Sequence, residues 1–136
     1  MSDLLTPNGG RRVAAFRRAE TATADVAWQR VADRFEVTAT GPWGTVAAAG
    51  DDAFSALVDV RQQLEDKGWF LAINGARRDT YPSGMGRAAG GLVVYELRFG
   101  ERAGATVPTF ADATPSSIGT VSEQKKKFEQ CWDSIK

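Results

Sequence analysis

The sequence predicts an α+β fold, an antiparallel or mixed sheet of about four to six strands with two or three helices packed on one face. Three observations carry that expectation. Residues 35–49 alternate apolar with polar on either side of Gly41-Pro42-Trp43-Gly44, a hairpin pattern in which proline presets one turn dihedral and glycine frees another. Residues 52–67 repeat apolar side chains at the helical period, with Ala53, Phe54, Leu57, Val60 and Leu64 on one stripe. Two further apolar runs, 68–74 and 92–99, have the length of a strand and are bounded by glycine or asparagine.

Taken in order, residues 1–20 read as a loose or edge segment ahead of a single domain over 21–136. Arg11, Arg12, Arg17 and Arg18 flank a short apolar stretch there, either the solvated face of an edge element or a basic arm for an acidic partner. Between Thr21 and Asp33, Ala24, Trp28 and Val31 recur at helical spacing behind Thr23 and Asp25. A short helix or irregular segment is therefore expected, giving way to a strand near Phe35. Val31, Asp33, Phe35 and Val37 also alternate, which would start that strand earlier.

Trp43 sits at the hairpin tip, either as an exposed contact anchor or folded back on the sheet. In the 52–67 helix, Asp52 and Lys67 suit the two ends of the dipole, and Gly68 suits the left-handed position that closes it. Within 92–99, Val93, Tyr95, Leu97 and Phe99 form the expected core face. A turn over 100–104 leads to an edge strand over 105–110, since Pro108 cannot donate to a ladder. After a linker over 112–119, Thr120 and Glu123 match a capping box. The helix they open is expected to reach Ile135 with Val121, Phe128, Trp132 and Ile135 inward, Lys125–Lys127 solvated and Cys131 a buried spacer.

Composition narrows the function. The 136 residues suit one domain, and Lys plus Arg (17) equals Asp plus Glu (17), so no net field draws the chain to nucleic acid or a membrane surface. No apolar run is long enough to span a bilayer, and the N-terminus lacks the charged start and apolar stretch of a signal peptide. A lone cysteine fits a reducing compartment, which makes the cytoplasm the expected location. The chain contains no histidine, which removes the usual nucleophile-activating base and the common zinc sites. The carboxylates are scattered, so no cofactor or metal is expected. An enzyme would have to work through Tyr81, Asp79 or a lysine.

The stretch over 75–91 holds Arg77, Arg78, Arg87, Tyr81, Met85 and five glycines between the two apolar runs, and is long for a connection without a task. Three readings apply. Arginine, tyrosine and methionine are enriched at interface centres, which points to partner binding through Arg77, Arg78, Tyr81, Met85 and Arg87, with Trp43 as a second anchor. The glycines and arginines could instead hold an anion, as in a small-ligand, nucleotide or nucleic-acid module; against that, they lead into a strand rather than a helix. The third reading is a structural cover for a sheet edge.

With its Trp69 strand, Tyr81-Pro82-Ser83-Gly84 loop, closing Trp132 helix and histidine-free chemistry, the chain resembles small immunity proteins encoded beside bacterial polymorphic or contact-dependent toxins. What the resemblance implies is a cytoplasmic, non-catalytic protein that blocks one cognate toxin.

Overall fold

The computed structural model describes residues 3–101 and 104–135. Met1 and Ser2 of the N-terminal segment, residues 102 and 103 of the turn expected over 100–104, and Lys136 lie outside the described residues. The fold is α+β and, among the described residues, comprises a five-stranded curled antiparallel sheet, a second three-stranded sheet and three helices.

Four strands run as a meander: β1 (Gly9–Arg17), β2 (Glu20–Val31), β3 (Arg34–Gly41) and β4 (Gly44–Gly50). A short β5 (Phe70–Leu71) pairs with the other side of β1, so the order is β4-β3-β2-β1-β5. One face of the meander is apolar. Val13 and Ala15, then Ala24, Val26 and Trp28, then Phe35, Val37 and Ala39 are buried at every second position. Helix α1 (Ala53–Glu65) packs on this face through Leu57, Val60 and Leu64, and Asp52 caps it by accepting from the Ser55 amide. The opposite face is polar and open, with Arg12 bonded to Asp25 and Gln29 to Glu36.

The second half is built from shorter pieces. After β5 come a 3-10 turn at Asn74–Ala76, then β6 (Thr80–Tyr81), α2 (Gly84–Ala88), β7 (Val93–Glu96), β8 (Thr106–Pro108), a 3-10 turn at Pro115–Ser117 and α3 (Val121–Asp133). Strands β6, β7 and β8 form the second sheet in that order. Its core meets that of the meander where Trp28 stacks on Phe110, centroids 4.1 Å apart and ring planes nearly parallel. The capping box at Thr120 and Glu123 is present in both directions. No helix among the described residues is long and apolar enough to cross a membrane.

Several expectations are corrected. Residues 21–33 form no helix; β2 occupies them, because Ala24 and Trp28, four apart, share a face in a strand as well as in a helix. The N-terminal segment contributes β1, paired with β2 along its whole length and with β5 at Ala15 and Phe16. The run over 68–74 is strand only at Phe70–Leu71 before the 3-10 turn takes over. The stretch over 75–91 is not a free loop, since it contains β6 and α2.

In β7 the faces are reversed. Leu92 and Val94 are buried, Val93 and Tyr95 half-buried, and Phe99 exposed. Over residues 92–95 both faces are apolar, so alternation does not fix which one points inward there. In α3 the fully buried positions are Gln124 and Cys131, whereas Trp132 reaches the surface.

Candidate partner-binding surface

A buried polar hub fixes the second half, and it explains where the functional candidates end up. Arg61, on the inner side of α1, donates from Nη1 to Gln124 Oε1 at 2.6 Å and from Nη2 to the Gly119 carbonyl at 3.0 Å. Gln124 Nε2 donates in turn to the carbonyls of Gly75 (2.8 Å) and Arg77 (2.9 Å). Thr80 Oγ1 closes the set by donating to the Asn74 carbonyl at 2.7 Å. Burial pulls the Arg61 guanidinium down to about 10, with Glu65 acting against the shift; it therefore remains charged at neutral pH. The hub thus ties α1, α3 and the 74–80 segment together through charge-assisted bonds to backbone oxygens.

The three arginines of the 75–91 stretch all bond to groups of the chain itself, Arg78 while remaining exposed. Arg77 forks onto Asp79 (2.9 and 2.8 Å) and reaches Glu96 at 3.1 Å, and the Asp79 hydrogen bond leads in holding its pKa above the ordinary value. Arg78 donates to the carbonyls of Ser116 and Ile118, at 3.0 and 2.9 Å. Arg87 donates to Ser55 Oγ at 2.8 Å, lies 3.5 Å from Asp52 and covers the rings of Phe54 and Tyr81.

Within the fold these guanidiniums pin the segment to α1, β7 and the 116–118 turn. The glycine amides are engaged within the fold as well. The amides of Gly86, Gly90 and Gly91 donate to Ser83 Oγ and to the carbonyls of Arg87 and Gly86, so they do not converge on an outside group. Gly91 has φ +71°, and a Cβ there would fall 2.6 Å from Asp52 Oδ1, so this glycine serves close packing against the α1 cap.

Trp43 folds back. Its ring packs 5.5 Å from that of Trp69, its Nε1 donates to the Ala39 carbonyl at 3.0 Å, and it lies over Gly41 where a Cβ would come within 2.8 Å. Tyr81 is half-buried in a ladder of aromatic rings. Phe54 meets it edge-on at 5.4 Å, Tyr81 stacks on Phe128 at 4.3 Å, and Phe128 leads to Trp132 at 6.4 Å. Of the predicted contact residues, Met85 is 84% exposed and Arg78 is exposed as well, whereas Trp43, Arg77, Tyr81 and Arg87 are half-buried.

The ladder ends at a surface that the residue pattern did not single out. Tyr95 and Leu97 from β7 and the chain after it face Phe128, Cys131, Trp132 and Ile135 from the end of α3 across a shallow apolar depression. Glu96, Arg98 and Glu101 border it. Trp132 is 49% exposed and Phe99, one residue past Arg98, is 67% exposed. An aromatic centre within a charged rim is the usual anatomy of a protein interface.

No family model matches the chain, and neither does any curated protein sequence.

Proposed function

We propose that the chain is a non-catalytic protein-binding module, most concretely an immunity protein that neutralises a cognate bacterial toxin. The observation that carries the reading is the exposed Trp132 on the Tyr95–Phe128 depression, with charged Glu96, Arg98 and Glu101 in its lining and Phe99 exposed in the adjoining chain, the mix of aromatic and charged groups from which interface hot spots are built. The histidine-free sequence adds to it, because a protein without an imidazole is poorly supplied for acid–base chemistry at neutral pH. Binding moves here from the arginine segment, whose charges are already answered, to the end of α3. Met85 on α2 is the one contact residue carried over.

The test is a complex with the product of the reading frame beside the gene. Co-expression is expected to relieve that product's toxicity, and calorimetry to find one tight complex. Trp132→Ala with Phe99→Ala is expected to weaken the complex at least tenfold, about 1.4 kcal/mol, with the melting temperature held. Neither rescue nor complex would remove the immunity reading. Rescue with an unaltered affinity in the double variant would place the interface elsewhere.

A further inference from the structure

Backbone accounting along the sheet edges points to a different surface. The two sheets have four edges, and three of them are blunted. Strand β5 is two residues long and continues into hydrogen bonds with 111–113. Strand β6 is two residues long and runs into Pro82, and β8 carries Pro108. The fourth edge, β4, is seven residues long and contains only glycine, threonine, valine and alanine. It has no proline, no charged side chain and no bulge in its register with β3, and those are the usual guards against strand addition.

The register says which groups are free. Gly41 pairs with Gly44 across the two-residue turn, so Val46, Ala48 and Gly50 direct their amides and carbonyls to β3. Thr45, Ala47 and Ala49 direct theirs outward. The Ala47 carbonyl confirms this parity, because it accepts from Gln63 Nε2 of α1 at 3.0 Å. That is one capped oxygen among three residues of open edge, and a carbonyl can accept a second bond. All three side chains are small and exposed, so the Gln63 amide at Ala47 is the one side chain an approaching strand has to share the edge with or displace.

We infer that two copies of this chain pair antiparallel through β4, about a two-fold axis at Ala47, to give one continuous sheet. The edge complements itself: Ala47 meets Ala47 of the other copy, Thr45 meets Ala49, and each outward amide finds a carbonyl. A second copy is favoured as occupant because the edge is uncharged and the chain carries no net charge, so copies do not repel one another. The pairing leaves the Trp132 depression uninvolved, so its failure and that of the proposed function are separable.

Sedimentation equilibrium over micromolar to millimolar chain tests it, with hydrogen exchange on the same samples. The expected result is a monomer–dimer equilibrium in which the Thr45, Ala47 and Ala49 amides gain protection as concentration rises. Ala47→Lys puts two ammonium groups side by side at the axis and is expected to raise the dimer dissociation constant at least tenfold, with an unchanged circular dichroism spectrum. Should that variant misfold, exchange in the wild-type chain still decides. A monomer throughout, or a dimer in which those amides stay unprotected, would overturn the pairing.

Discussion

The β1–β4 meander and the segment from Asn74 to Gln124 are held together by different physics. In the meander, strand register and apolar packing suffice: every second side chain is buried and each strand pairs with the next in the sequence. In the later segment the strands are two to four residues long, too short to specify themselves, and order comes from Arg61, Gln124 and the carbonyls they serve. The contrast teaches where polar residues in a core are tolerated. They are tolerated where irregular backbone leaves oxygens that nothing else can satisfy.

The comparison breaks if removing the hub costs less than removing meander packing. Arg61→Leu leaves the Gly119 carbonyl and Gln124 Oε1 unanswered, and is expected to cost roughly 3–5 kcal/mol in urea unfolding. Gln124→Leu, which takes the 2.6 Å acceptor from Arg61 Nη1 and one donor each from the Gly75 and Arg77 carbonyls, comes next at roughly 2–3 kcal/mol. Val37→Ala on the meander's inner face is expected to cost roughly 2 kcal/mol. If Val37→Ala proved the most costly of the three, the hub would not be what orders the second half.

A pH series sharpens the same point. Arg61 is charged in folded and unfolded chains alike below about pH 10, so it contributes no slope to stability between pH 6 and 9. Above about 10 the folded chain gives up this proton before the unfolded chain does, and Arg61's contribution then rises with pH. Arg61→Leu is expected to lose that rise and to differ from wild type by a constant amount below it.

The smallest effect belongs to the meander turns. Arg18 and Ala32 hold φ of 54° and 57°, the left-handed region that glycine enters more readily. Ala32→Gly is expected to raise stability by a few tenths to about 1 kcal/mol, the relief of strain exceeding the added entropy of the unfolded chain. A loss of stability would show the turn to be unstrained.

Those two turns also explain what the sequence hid. The β3–β4 hairpin was legible because Gly41-Pro42-Trp43-Gly44 announces it. The β1–β2 and β2–β3 turns were not, because Arg18-Ala19 and Ala32-Asp33 contain no glycine or proline. Helix α1 and the Thr120 cap were legible from period and capping chemistry alone. The candidate site was not. A guanidinium reads as surface in a sequence, yet its fork of donors also suits backbone carbonyls inside a fold, the use to which Arg61 and Arg78 are put. With Gln124 turned inward to serve the hub, α3 presents Trp132 outward, a rotation that apolar spacing alone could not reveal.

The bond from Arg61 to Gln124 spans 63 positions of chain. During synthesis the meander and α1 leave the ribosome long before the glutamine that answers Arg61 has been made. Until then Arg61 lacks its shortest partner and has only the Gly75 and Gly119 carbonyls to bond within the chain. A nascent chain halted short of Gln124 would present a finished sheet and an unsealed helix, the kind of half-made product that quality-control proteases recognise.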